Sequence, residues 1–166
     1  FPHHLKGEGH FIAKLVNGEP ESTDKKRKKK NKRKKQSIVK PDKEQVKLFN
    51  QFITSVFPDY QPHQLILFGD QLYDLPLEED KIEGLNVLRP GLHLGTFKKN
   101  RFEPALAWAL ASLPQEANQV IELSQEQWHQ YVHGDVINID ADLPNGWYLL
   151  VCEEHTAGFG KLVGKT

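Results

Sequence analysis

Apolar positions in the first 40 residues predict little folded structure. Residues 9–16 (GHFIAKLV) alternate apolar and polar side chains, which is typical of a single strand. One strand cannot form a domain, so we expect its partner strands to lie upstream. Residues 17–40 contain almost no apolar side chains and include a run of like charges that repel one another, which predicts a disordered linker.

Residues 41–84 predict a small domain of one helix and two strands. After Asp42, which can cap a helix N-terminus, apolar residues recur every three or four positions until Pro58. The pattern then changes to short apolar runs separated by a turn at Gly69 and Asp70. The predicted elements are a helix over residues 43–57, a buried strand over 64–68 and a return strand over 71–73.

Residues 85–166 predict a second domain of short strands and short helices. Pro104 stands where the first turn of a helix tolerates proline. Ser124 and Gln127 have the spacing of a capping box, and Gly134 can end the helix that they begin. This mixture predicts an α+β fold. The predicted elements are an extended segment over residues 86–94, helices over 105–113 and 124–133, and strands over 120–123, 147–152 and 159–163.

The charge of the chain changes this picture, because a net charge of zero conceals a strong asymmetry. Ten of the eleven residues from 25 to 35 are Lys or Arg, whereas residues 41–166 carry 9 basic and 18 acidic side chains, or about −9. A basic tract binds polyanions through counterion release, and RNA is the most abundant cytoplasmic polyanion. A solvated linker without a dedicated partner and a nuclear-localisation signal stay open as alternatives.

Cysteine content and hydropathy limit the class of protein further. Cys152 is the single cysteine, which excludes an internal disulfide and a multi-cysteine metal site, and we expect it to be a buried structural thiol. No apolar run approaches the ~18 residues of a membrane span, and the N-terminus lacks the order of a secretory signal. These features predict a cytoplasmic protein without a membrane partner. Since the chain has no Met, starts within a pattern and stops directly after a strand-like run, we expect both ends to be cuts.

The histidines do not predict a metal site. His3, His4 and His10 cluster near the start, and His129 and His133 are four residues apart on one helix face. Zinc needs three or four ligands, and no Cys or acidic residue stands at a recognisable spacing from either group. The sequence also lacks a glycine-rich phosphate loop. We therefore predict no catalytic residue, no metal and no cofactor within this chain.

Two further clusters are candidates for RNA contact. Lys98-Lys99-Asn100-Arg101 is a basic cluster in an acidic body and could hold phosphates; an exposed charged loop without a partner is the alternative. Gly158-Phe159-Gly160-Lys161 resembles a tight turn that carries an aromatic ring and a cation, which could stack on RNA and pair with it. On spacing alone, the pattern favours a hairpin turn whose Phe159 packs inward.

Several segments, in order and at consistent spacing, resemble the Sun-type RNA cytosine-5 methyltransferases. The start of the chain resembles the segment that ends their S-adenosylmethionine-binding domain. Later segments resemble the C-terminal extension of the bacterial branch that modifies small-subunit ribosomal RNA, and the last is similar to a signature of its PUA-like RNA-binding domain. The segments are residues 2–4 (PHH), 7–15 (GEGHFIAKL), 88–95 (LRPGLHLG), 98–104 (KKNRFEP), 131–135 (YVHGD), 146–151 (GWYLLV) and 158–161 (GFGK).

The resemblance implies a two-cysteine mechanism in the parent enzyme. One thiolate adds to a flipped-out cytosine, the neighbouring carbon takes a methyl group from S-adenosylmethionine, and a second cysteine helps to release the product. Those cysteines and the cofactor-binding segments lie upstream of Phe1 in the family, and Cys152 matches neither cysteine. The basic tract matches no family segment and looks like an insertion.

Resemblance and charge together predict an RNA-binding C-terminal part of an rRNA cytosine-5 methyltransferase. It would act as a monomer and position rRNA of the small ribosomal subunit for the absent catalytic domain. A module that docks on the ribosome or on the catalytic domain is the alternative, which the acidic body favours. The predicted domains are the last methyltransferase strand (1–16), a basic linker (17–40), a small α/β domain (41–84) and a PUA-like pseudo-barrel (85–166). The predicted RNA contacts are Lys98, Lys99, Arg101, Lys161 and, with less support, Arg89.

Overall fold

A computed structural model describes residues 39–82, 85, 87–140 and 142–164. The strand predicted over residues 9–16 and most of the predicted linker lie outside this part of the chain. The described residues form the helices α1 (Lys43–Val56), α2 (Leu106–Ala111) and α3 (Gln125–His133). Their strands are β1 (Leu65–Phe68), β2 (Gln71–Asp74), β3 (Leu92–Lys98), β4 (Arg101–Pro104), β5 (Val120–Glu122), β6 (Gly146–Cys152) and β7 (His155–Leu162).

Helix α1 begins and ends where local sequence signals predict. Asp42 Oδ1 accepts a hydrogen bond from the Gln45 backbone N–H at 2.8 Å, and Gln45 Oε1 accepts one from the Asp42 N–H at 2.9 Å. This reciprocal pair satisfies two N–H groups at the start of the helix. Of the predicted apolar stripe, Phe49 and Val56 are buried, whereas Val46 and Ile53 are half-buried. The buried face also includes Phe52, which the predicted stripe leaves out.

Helices α2 and α3 confirm the other two predicted helices. The Ser124 side chain and Gln127 form the predicted capping box, with Ser124 Oγ accepting from the Gln127 N–H at 3.2 Å. Gly134 has φ 90°, in the left-handed region that lets a glycine end a helix. Helix α2 is shorter than predicted: it ends at Ala111, because the chain becomes extended at Ser112.

The first sheet contains four antiparallel strands in the order β1-β2-β3-β4. The predicted extended segment over residues 86–94 becomes a strand only from Leu92. Strand β2 pairs with β3, with an irregularity between Leu72 and Tyr73. The sheet therefore joins residues on both sides of the domain boundary predicted between residues 84 and 85.

The second sheet contains β5, β6 and β7, and it corrects the prediction for the end of the chain. Strand β6 pairs in parallel with β5 and antiparallel with β7. The β6–β7 turn is Glu153-Glu154, with φ 50° and 66°, as a two-residue hairpin turn requires. The last strand begins at His155 instead of Phe159, and Gly158-Phe159-Gly160-Lys161 lies inside it instead of forming a turn.

The main core lies between the two sheets and the helices α1 and α2. Phe52 is at its centre, with its ring centroid 5.3 Å from that of Trp108 and 5.6 Å from that of Phe159. Leu94 of the first sheet and Leu149 of the second are fully buried in the same cluster. The fold is thus α+β, as predicted, and the strands of the described residues form two open sheets.

The loop that leads from α1 to β1 is held by a buried carboxylate. Asp74 is only 6% exposed. It accepts hydrogen bonds from the Tyr60 hydroxyl at 2.8 Å and from the backbone N–H groups of His63 at 2.9 Å and Gln64 at 3.1 Å. Burial and the Asp74 carboxylate raise the pKa of Tyr60, so its hydroxyl remains a donor at physiological pH.

Gly95 gives the first testable prediction, because β3 and β4 approach closely there. A Cβ at this position would overlap the carbonyl oxygen of Glu103 and the ring of Phe102. Gly95→Ala should lower the free energy of unfolding by about 1–3 kcal/mol, measured by urea denaturation. Gly146→Ala is the matched control, since its Cβ would meet only the Gln119 side chain at 3.6 Å. Equal losses in both variants would contradict the close-approach explanation.

Candidate nucleic-acid interface

The turn between β3 and β4 carries the predicted basic cluster, which we call the basic hairpin (Lys98, Lys99, Asn100 and Arg101). Lys98 and Arg101 are opposite each other in the strand register, and Lys99 and Asn100 form the two-residue turn. All four residues are exposed, with 54% of the Lys98 side chain and 65% of the Arg101 side chain accessible. Three of the five predicted contacts therefore lie together at one end of the first sheet.

The Glu103 carboxylate pairs with two of the three cations of the basic hairpin. Strand alternation places it on the same face as Arg101 and diagonally across from Lys98. Its two carboxylate oxygens lie 2.8 Å from Lys98 Nζ and 2.8 Å from Arg101 Nε. Hydrogen bonds from Lys98 and Arg101 hold the pKa of the Glu103 carboxyl below its usual range, so it is ionised at neutral pH. Three cations and one carboxylate leave two net positive charges on the hairpin and Glu103.

Glu103 gives a second prediction. Glu103→Gln should strengthen binding to RNA about twofold to tenfold, because removal of the carboxylate frees Lys98 and Arg101 for phosphate. The slope of log affinity against log salt, measured by fluorescence anisotropy, should become steeper by up to about 0.7–0.9, the value for one additional phosphate contact. Glu122→Gln removes the same charge from an exposed position on β5 and serves as the control. An equal gain in both variants would show that only the total charge matters.

Arg89 lies apart from the basic hairpin. Arg89 is exposed in the segment before β3, and the hairpin follows the opposite end of that strand. The two ends of β3 are about 20 Å apart, because its seven residues rise ~3.3 Å each. Its charge acts on His93: burial lowers the pKa of this histidine, and Arg89 lowers it further. The His93 ring stacks on Tyr73, with centroids 4.9 Å apart. The structure therefore does not join Arg89 to the other predicted contacts.

Lys161 lies on β7 in the second sheet, opposite Trp147 of β6, and is exposed. Its neighbour Phe159 is 8% exposed and packs edge-to-face on Phe52. This confirms the inward orientation that the spacing favours and removes the ring as a stacking surface for RNA. Lys161 is thus an exposed cation opposite the half-buried Trp147, and the Phe159 ring of the RNA-contact interpretation is not available beside it.

The residues considered for metal binding and thiol chemistry have ordinary surroundings. The rings of Trp128 and His129 pack edge-to-face, and His133 Nδ1 lies 3.9 Å from an Asp135 carboxylate oxygen. No group of three His, Cys, Asp or Glu within the described ranges could hold a metal ion. Cys152, expected to be buried, is only partly buried, because it adjoins the β6–β7 turn. No helix in the described part of the chain is long and apolar enough to span a bilayer.

Comparison with known families identifies the class of protein. The family model described as the RsmF rRNA methyltransferase first C-terminal domain matches residues 51–111, and that of the methyltransferase RsmF PUA domain matches residues 118–166. The two matches follow each other along the chain and together identify it as an RNA-binding part of an rRNA methyltransferase. The chain belongs to the RsmF family as a piece of its C-terminal region, which confirms the resemblance to Sun-type enzymes.

The family matches also locate the candidate contacts. The basic hairpin and Arg89 fall within the first C-terminal domain, and Lys161 falls within the PUA domain. The two family matches adjoin between residues 111 and 118, just after α2, whereas the sequence pattern predicts a boundary between residues 84 and 85. The role of each predicted contact residue stays a prediction.

Proposed function

We propose that this chain holds small-subunit rRNA in position for cytosine-5 methylation by the catalytic domain of its parent enzyme. The observation that carries the proposal is the basic hairpin. It gathers three of the nine Lys and Arg residues found between positions 39 and 164 into four consecutive residues. Contacts to phosphates fix the register and orientation of a nucleic acid without reading its sequence, which is what a positioning domain must do.

The acidic remainder of the body supports this role. The exposed carboxylates include Asp42, Glu44 and Asp70 near the basic hairpin and the adjacent Glu153 and Glu154 at the β6–β7 turn. A surface of this charge repels RNA at most approaches and leaves the basic hairpin as the favoured point of contact. The acidic surface therefore orients the RNA as well as weakening its binding.

The methyl donor belongs to the upstream domain in this proposal. Residues 7–15 resemble the segment that ends the S-adenosylmethionine-binding domain, and the described residues do not include them. Cys152 sits at the end of β6, and no catalytic role is proposed for it. The described residues bind and orient the RNA, and the chemical step takes place on the catalytic domain.

One observation favours docking to a protein as a second candidate function. Leu106, Leu110 and Leu113 are 54%, 60% and 63% exposed, although each is a large apolar side chain. Leu106 and Leu110 are four residues apart on one side of α2, and Leu113 follows in the extended segment after the helix. An exposed apolar surface of this kind marks an interaction site. The catalytic domain or a ribosomal protein could cover it while the basic hairpin holds RNA.

Hydroxyl-radical footprinting of a small-subunit rRNA fragment tests the positioning role. With the whole chain bound, we expect one continuous patch of protected nucleotides, because phosphate contacts at the basic hairpin would fix the register and orientation of the RNA. Uniform weak protection along the fragment would show non-specific binding and contradict positioning. The absence of protection at every protein concentration up to the solubility limit would favour docking to a protein.

A further inference from the structure

A groove lies beside the basic hairpin, between the β3–β4 turn, the first turns of α1 and the β1–β2 turn. It encloses about 650 Å³. Small-molecule sites in proteins typically enclose ~300–1,000 Å³, so the groove has the size of a ligand site. Lys99 and Asn100 form one edge, Gly69 and Asp70 form another, and the side of α1 closes the third.

The lining of the groove combines apolar surface with amide groups. The half-buried Leu48 contributes most of the exposed apolar surface, since Phe97 is a core residue that is only 8% exposed. Gln51 and Asn100 contribute exposed amides, and Gln45 contributes a third whose Oε1 is already used in the α1 cap. A side-chain amide has both donor and acceptor groups, which match the hydrogen-bonding edge of a nucleobase. Apolar surface suits the flat face of the same base.

Charge inside the groove argues against a phosphate as its occupant. Two cations and three carboxylates line it, so the lining carries one net negative charge. A neutral base fits this environment better than an anion does. The remaining cations of the basic hairpin, Lys98 and Arg101, do not line the groove. Strand alternation directs them to the face of the sheet opposite Phe97, at the same end of the sheet as the groove. The charged lining residues are Lys47, Lys99, Asp42, Glu44 and Asp70.

The backbone at the edge of the groove is also unusual. Lys99 has φ 40°, in the left-handed region that Gly, Asn and Asp normally occupy in two-residue hairpin turns. A lysine in this conformation is held there by the pairing of Lys98 with Arg101. The turn therefore places a cation and the Asn100 amide side by side at the opening of the groove.

From this arrangement we propose that the groove binds one unstacked base of single-stranded RNA while the basic hairpin holds the phosphates on either side. The inference rests on the proposed RNA-binding function and deepens it by assigning the contact that a base makes. Single-stranded RNA is recognised in this way in general, since unstacked bases can turn outward and offer both face and edge.

Abasic substitution tests the groove directly. A single-stranded oligoribonucleotide from the rRNA fragment is compared with versions that lack one base at each position in turn, using the whole chain. At one position the loss of the base should weaken binding roughly fivefold or more, the range seen for single base contacts. Gln51→Leu should reduce this difference, because it removes an amide from the groove. Asn50→Leu should leave it unchanged, since Asn50 is an exposed neighbour on α1 that does not line the groove.

The outcomes separate this inference from the proposed function. Equal affinities for all abasic versions would overturn the groove while leaving RNA binding intact. A base effect that Gln51→Leu and Asn50→Leu alter equally would place the base elsewhere and also overturn it. Failure of every oligoribonucleotide and of the rRNA fragment to bind would overturn the proposed function together with the inference. Circular dichroism melting curves of both variants establish that they are folded.

Discussion

Replacing Lys98, Lys99 and Arg101 together by alanine should weaken binding to an rRNA fragment by about tenfold or more at moderate salt. These side chains supply all the positive charge of the basic hairpin, and Lys98 and Arg101 are held on one side by Glu103. Each lost phosphate contact should lower the slope of log affinity against log salt by about 0.7–0.9. The triple variant should therefore show a slope lower by about two to three.

The control for this prediction removes the same charge from elsewhere. Lys40, Lys43 and Lys81 are exposed and lie outside the basic hairpin, so their triple alanine variant changes the net charge equally. Fluorescence-anisotropy titrations at two or more salt concentrations measure both variants. If the control loses as much affinity and slope as the hairpin variant, RNA responds to total charge and the site assignment is wrong.

Trp108→Ala should lower the free energy of unfolding by about 3–5 kcal/mol, a large part of the stability of a domain of this size. Trp108 is 1% exposed and packs against both α1 and β7, with its ring centroid 5.3 Å from that of Phe52 and 6.2 Å from that of Phe159. Removal of the indole leaves a cavity in the core that joins the two sheets. The denaturant midpoint should fall without a change in the slope of the transition.

Two comparisons make this prediction specific. Trp108→Phe should cost clearly less than Trp108→Ala, because it keeps an aromatic ring and removes a buried N–H that has no hydrogen-bond partner in the described part of the chain. Trp128→Ala deletes the same side chain from α3, where it is 37% exposed, and should cost little. A loss below about 1 kcal/mol for Trp108→Ala would contradict the role of Trp108 in the shared core.

The elements that could be predicted from the sequence are those that local signals determine. Helix α1 follows from the cap at Asp42 and from apolar residues at helical spacing, and α3 follows from Ser124, Gln127 and Gly134. Each of these signals acts within a few residues, so neighbouring sequence is sufficient to find it. Strand β1 and its return strand were found in the same way, from short apolar runs around a glycine turn.

The parts that could not be predicted depend on contacts between distant residues. Pairing of β2 with β3 joins segments that residues 75–91 separate in the sequence. The strands β5 and β6 pair in parallel, and α3 lies between them in the sequence. The start of β7 was placed too late because its first residues, from His155, have little apolar character and are ordered by pairing with β6.

The candidate site shows the same division. The basic cluster of the hairpin is visible in the sequence as consecutive charges, whereas its partial neutralisation is not. Glu103 reaches Lys98 only because the two strands pair in one particular register. The sequence does show that Arg101 and Glu103 are two residues apart. That spacing places them on the same face once this segment is known to be a strand. The groove beside the hairpin, formed by three separate elements, had no sequence signal.

The central claim is that the folded body, without the basic tract, binds RNA. Fluorescence-anisotropy titrations with a small-subunit rRNA fragment test it most directly, with the whole chain and a chain that lacks residues 20–37 compared at low and moderate salt. We expect the shortened chain to bind still, with a salt slope equivalent to a few phosphates at about 0.7–0.9 per contact. Loss of all binding with the basic tract would contradict the claim and leave the body as a docking module.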